Sequence, residues 1–178
     1  MHKRVNHLIL IAIAIIFAAL GIWASNSQRG APPPSSVNPT QYFFQSEFPE
    51  PGAGLQKMSQ WKGKPIIINF WASWCPPCIR EMPELSEFSK EIGKHGIQVI
   101  GLGVDSDDHI TEFIKQHPVG YPIYVTGITG TELSRQLGNE TGGLPFTVLI
   151  GLDGKIKHTY LGLLNFKQLR IDVAPFFK

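Results

Sequence analysis

Ile66-Ile67-Ile68-Asn69-Phe70-Trp71-Ala72-Ser73-Trp74-Cys75-Pro76-Pro77-Cys78 decides the reading of this chain. Its first five residues are nearly all apolar and rich in β-branched side chains, as expected of a strand buried on both faces. The last four place the only 2 cysteines of the 178-residue sequence two residues apart. Beyond them Ile79, Met82, Leu85, Phe88 and Ile92 recur every three or four positions, which predicts a helix over 76–92 ending at Gly93. Pro83 lies inside that helix and should kink it by removing one backbone donor. A thiol at a helix start is biased towards thiolate by free N–H groups and the helix dipole. Strand, cysteine pair and helix in that order permit thiol–disulfide exchange.

Outward from this centre the pattern alternates strand and helix. On the N-terminal side, 42–48 alternates loosely and reads as a short edge strand, and 55–63 as a short helix or turn. On the C-terminal side, strands are expected over 97–104 and 122–125, with a helix over 106–116 between them carrying Ile110, Phe113 and Ile114 inward. A further helix is expected over 129–137. The strands 146–150 and 156–161, joined at Asp153-Gly154, read as a hairpin. Asn165 is placed to cap a last helix carrying Leu169 and Val173. The order β-α-β-α-β-α-β-β-α implies an α/β fold: a mixed sheet with helices on both faces. Cys75 then follows a central strand, where such sheets place their sites.

The N-terminal segment, 1–25, bears on location. Lys3 and Arg4 precede an unbroken apolar or small run, Leu8 to Ala24. Seventeen helical residues span about 25 Å, and residues 5–7 bring this close to the roughly 30 Å of a bilayer core. The flanking positive charge suits a retained signal-anchor with its N-terminus in the cytoplasm. Ala24 and Ser25 also permit a cleaved signal peptide, but bulky Ile22 and Trp23 make a poor cleavage site, so retention is favoured. The expectation is a single-pass protein of a bacterial inner membrane, held through residues 5–24 with its domain in the periplasm, where disulfides form and exchange. Residues 26–41, rich in Ser, Pro and Asn, read as a linker, and 42–178 as the globular domain. All 14 acidic residues lie in that domain, facing 13 of the 16 basic ones. A domain so near neutrality offers no polyphosphate-binding face, and no nucleic-acid partner is expected.

The cysteine pair has competing readings. Haem attachment needs His directly after the second cysteine, where Ile79 stands. A structural zinc site needs a second ligand pair, and there is no other cysteine. A bridge across so short a loop restrains the unfolded chain little. Redox exchange is the reading that remains. Cys75, at the helix mouth, is expected to attack a substrate disulfide, and Cys78, one turn in, to resolve the mixed disulfide. Pro76 suits the first helical position. Neither Pro76 nor Pro77 offers an N–H to the Cys75 sulfur, which implies a reducing potential, nearer about −270 mV than about −120 mV. Glu81 shares the helix face of Cys78 and could take its proton. A disulfide oxidase or isomerase, and a chaperone holding Cu(I) between the two thiols, stay open as alternatives. A peroxidase does not fit, because Ala72 occupies the position three before Cys75 where such enzymes carry Thr.

Three segments together, Lys62-Gly63-Lys64-Pro65, 69–85 (NFWASWCPPCIREMPEL) and 142–156 (GGLPFTVLIGLDGKI), resemble the TlpA/ResA-like branch of the thioredoxin superfamily. The resemblance covers about 42–178. It implies a thioredoxin-like fold with an N-terminal strand extension and a central insertion, here around 105–125. It matches Cys75 to the nucleophile, Cys78 to the resolving thiol and Glu81 to the family's active-site glutamate. It matches Pro145 to a cis-proline beside the dithiol, with Leu144 offering backbone groups to substrate; Trp74 and Pro76 would border the same site, Trp74 shielding the dithiol. Asn69 stands where classical thioredoxin has a buried Asp, which leaves proton removal from Cys78 to Glu81 or water. No metal and no cofactor beyond the Cys75–Cys78 disulfide is implied. The implied partners are protein disulfides such as apocytochrome c and a membrane thiol–disulfide electron donor.

Overall fold

The computed structural model describes residues 39–177. The expected anchor, and the expected linker as far as residue 38, lie outside them. Among the described residues no helix is long and apolar enough to cross a membrane.

Helix α1 (Pro39–Gln45) comes first, then a two-stranded antiparallel hairpin, β1 (Glu47–Glu50) and β2 (Gly54–Lys57), and a 3-10 turn over Met58–Trp61. Next are β3 (Ile66–Trp71), α2 (Pro76–Gly93), β4 (Gln98–Gly103), α3 (Asp107–Gln116), β5 (Ile123–Val125) and α4 (Thr129–Gln136). The antiparallel pair β6 (Phe146–Ile150) and β7 (Ile156–Leu161) follows, and α5 (Phe166–Val173) leads into a last 3-10 turn, Ala174–Phe176. The main sheet runs β5-β4-β3-β6-β7. Strands β5, β4 and β3 run parallel, β6 runs antiparallel to β3, and β7 runs antiparallel to β6.

Side-chain alternation divides the core into two layers. Ile67 and Trp71 of β3, Val99 of β4 and Leu149 of β6 pack with Leu85, Phe88 and Ile92 of α2 and Leu169 of α5. On the other face Ile66, Ile68 and Phe70 join Ile100, Leu102 and Val148 beneath Phe43 and Phe44 of α1 and Leu133 of α4. Helices therefore cover both faces, as the element order implies.

Most elements lie where the pattern places them. Asn165 accepts the Gln168 N–H at 3.2 Å and Ser106 the His109 N–H at 3.3 Å, so α5 and α3 carry the side-chain caps that stop their first turns from fraying. Helix α2 runs on through Pro83 to Gly93, one donor short at that residue. The 105–125 segment, expected as an insertion, supplies α3 and the edge strand β5.

Two expectations fail near the N-terminus. Residues 42–45 are helical, and the strand begins only at Glu47. Phe43 and Phe44 are adjacent and both buried. An edge strand would send one of them to solvent, whereas neighbours 100° apart on a helix share a wide apolar face. Residues 55–57 belong to β2, leaving only Met58–Trp61 as a helical turn.

Candidate active site

The site forms at the C-terminal end of β3, where the chain leaves the sheet and enters α2. The Val104 N–H donates to the Trp71 carbonyl at 2.8 Å, holding the two parallel strand ends together. The Ser73 hydroxyl donates to the Asp105 carboxylate, which also accepts the Ser106 N–H at 2.7 Å and meets His109 Nδ1 at 2.9 Å. This tether pins the turn ahead of the cysteines to the end of β4. No feature of the sequence pointed to it.

Cys75 is the N-cap of α2 and is joined to Cys78 in a disulfide, with Cα atoms 5.3 Å apart. Cys75 is 4% exposed and Cys78 fully buried, so the first sulfur is the one nearer solvent. The Cys78 N–H reaches Cys75 Sγ at 3.4 Å. Pro76 and Pro77 have no N–H to add, so of the first three helical residues one donates to that sulfur. Pro76 is exposed at the mouth, and Trp74, 65% exposed, stands as open apolar surface beside the pair.

Below the disulfide lies a buried polar cluster. Glu81 is 4% exposed, one turn beyond Cys78 on the inner face of α2. Its Oε1 accepts from Asn69 Nδ2 at 2.8 Å, and its Oε2 accepts the Leu164 N–H at 3.0 Å. Asn69 Nδ2 also donates to Thr147 Oγ1 at 3.0 Å. Burial pushes the Glu81 carboxyl above the usual carboxylate range, against the lowering effect of the Leu164 and Asn69 donors. The Tyr121 hydroxyl is likewise pushed up, by burial and then by the Glu81 charge.

The Leu144–Pro145 peptide bond is cis. The Pro145 carbonyl accepts the Gly162 N–H at 2.8 Å, which ties its loop to the turn after β7. That turn continues to Leu164, so one short segment touches both the cis-proline loop and Glu81. Asn139 donates to the Gly143 carbonyl at 2.9 Å and steadies the approach to Pro145. Trp71, fully buried against Phe113 with ring centroids 5.2 Å apart, fills the core rather than the surface. Thr147 and Leu164 were not identified from sequence. Thr147 had a signal in principle: like Asn69, it is a polar residue inside an otherwise apolar strand. Among the described residues no three His, Cys, Asp or Glu side chains gather as a metal site.

A cysteine pair capping a helix after the central strand β3, with a cis-proline leading into the neighbouring strand β6, defines on a sheet of this topology a thiol–disulfide oxidoreductase of thioredoxin-like fold. The Redoxin family model matches residues 46–170, and the chain belongs to that family. The chain is similar to the thiol:disulfide interchange protein DsbE of Vibrio cholerae, 28% identical over all of this chain and 96% of the relative. It is 33% identical to the thiol-disulfide oxidoreductase ResA of Bacillus cereus, over 61% of each protein. A thioredoxin-related protein from Neisseria meningitidis serogroup B superposes with a TM-score of 0.60 at 36% identity, covering 68% of this chain and 90% of that one.

Proposed function

We propose that this oxidoreductase works in the reducing direction, opening disulfides of other proteins outside the cytoplasm while tethered to the inner membrane by residues 5–24. The observation that carries the reading is the pairing of Cys75 and Cys78 at the start of α2 with the buried Glu81 one turn further in.

In the reduced state the Cys75 thiolate attacks one sulfur of a substrate disulfide, and the other leaves as a thiolate that takes up a proton. Cys78 then gives its proton to the Glu81 carboxylate and attacks Cys75 Sγ. The second substrate sulfur departs, and the Cys75–Cys78 disulfide of the structure is formed. Two electrons pass to the substrate. A membrane thiol–disulfide donor returns them, since cytoplasmic reductants do not reach that compartment. A carboxyl raised by burial suits the proton transfer, because its affinity for a proton moves towards the working pH. Leu144 and Pro145 offer the backbone groups on which a substrate segment lies, with Pro76 and the exposed Trp74 bordering it. Apocytochrome c is the client that resemblance suggests, and its reduced cysteines are what haem attachment requires.

What supports the direction of transfer is the sparse stabilisation of the Cys75 sulfur by a single N–H. A redox titration of the full chain is expected to place the couple near about −270 mV. A value above the protein disulfide isomerase figure of about −180 mV would identify an oxidant instead. Cys78→Ala should trap clients as mixed disulfides on Cys75; cells yielding no such adduct would remove the protein-reductase reading.

A further inference from the structure

Three buried polar groups beside Glu81 have no hydrogen-bond partner among the described residues: Asn69 Oδ1, Trp71 Nε1 and the Tyr121 hydroxyl. Buried polar atoms of that kind are rare, and each calls for a partner. These three are not scattered. Asn69 and Trp71 are two apart on β3, so their side chains share the sheet face covered by α2. Asn69 pairs in register with Gly101 on β4. A side chain at Gly101 would overlap the Ile123 δ-methyl and begin 3.2 Å from Trp71 Nε1 and 3.2 Å from the Tyr121 ring. Glycine at this position is what lets the indole and the phenol come down to the sheet beside Asn69.

We infer that Asn69, Trp71 and Tyr121 form a binding site for one internal water molecule held among their three unpartnered polar atoms, and that this water positions the Asn69 amide against Glu81. The chemistry of the three groups matches what a water can satisfy. The indole N–H is only a donor, Asn69 Oδ1 only an acceptor, and the phenol can serve as either. Water accepts from the indole and from the phenol and donates to Asn69 Oδ1, giving the three hydrogen bonds typical of buried water. With its oxygen held there, the Asn69 amide must present its NH₂ to Glu81 Oε1 and Thr147 Oγ1, the contacts observed at 2.8 and 3.0 Å. A reversed amide would set two acceptors, Oδ1 and Oε1, against each other while the carboxyl is ionised. Tyr121 is thus a positioning residue, acting through the water and Asn69.

The site itself is independent of the proposed function, whereas its effect on the reaction rests on the reading of Glu81 given above. The experiment uses the full chain, oxidised and ¹⁵N-labelled, with Tyr121→Phe as the shape-conserving variant and Trp71→Phe to assign the indole signal. The Trp71 indole N–H is expected to show a cross-peak to a long-lived water, and Tyr121→Phe to weaken it. In single-turnover kinetics Tyr121→Phe should slow resolution by Cys78 by about three- to tenfold, the worth of one hydrogen bond, and leave attack by Cys75 unchanged. An indole N–H without water contact in the unmodified chain overturns the site. A clear water contact with resolution unchanged in Tyr121→Phe keeps the site and overturns the positioning role. If Glu81→Gln also resolves at the normal rate, it is the reading of Glu81 that fails, and the water contact stands unaffected.

Discussion

The two faces of the central sheet are built from the same strands but to different ends. Towards α1 and α4 the strands present Ile66, Ile68, Phe70, Ile100, Leu102 and Val148, and the layer is almost wholly hydrocarbon. Towards α2 the alternate positions include Asn69 and Thr147, and the helix answers with Glu81. Burying a carboxyl there has a cost that the first face never meets. The lesson is a division of labour across one pleat: both faces hold the fold together, but only the one towards α2 gives up some stability to keep a proton acceptor in a dry place.

That contrast can be broken at several points. Cys75→Ser should abolish disulfide reduction altogether, in an insulin-reduction assay, while leaving both layers packed. On the hydrocarbon face, Phe43→Ala should cost about 3–5 kcal/mol in a denaturant melt without altering the turnover of the molecules that remain folded. A marked change in turnover would mean that the faces are not separable.

Glu81→Gln sharpens the comparison because its two effects should have opposite signs. Resolution should slow by roughly 100-fold or more, the usual loss when a general base is removed. Stability should rise. A carboxyl whose folded pKa lies above its unfolded value of 4.5 binds more protons in the folded state between those two values. Native stability therefore falls as pH climbs through that window. The Gln variant lacks this slope, so the two proteins should match below pH 4.5 and the variant should be the more stable above the window. Thermal melts across pH check this; a wild-type curve that is flat through mildly acidic pH would contradict it. The smallest effect is expected at the surface. Arg170 pairs with Glu91 through two contacts of 3.1 and 2.9 Å, both side chains about half exposed. Arg170→Ala should cost no more than about 1 kcal/mol, and less in high salt.

How much of this was legible beforehand follows from sequence distance. The strand–cysteine–helix unit, the cap at Asn165 and the β6–β7 hairpin are local, and propensity and periodicity declare them. Phe43 and Phe44 misled because a four-residue window fits either a strand or one helical turn, and burial decides between them. The polar cluster is different in kind. Thr147 lies 78 residues from Asn69, and Leu164 lies 83 from Glu81. Only the register of β3 on β6 and the docking of α5 bring them together. Glu81 was reachable through helix spacing and resemblance. Tyr121 carried no signal, because a tyrosine ahead of a short edge strand looks like any core aromatic.

Leu164 closes the site from far along the chain. The two cysteines are translated some 86 residues earlier, which at about 5–20 residues per second is an interval of several seconds. Through that interval the thiols exist without the segment that seats their carboxylate and braces the cis-proline loop. A nascent chain is therefore a bare dithiol first and a tuned redox centre only once Leu164 has been added, and its freedom from premature cross-linking during synthesis depends on the surroundings into which it emerges.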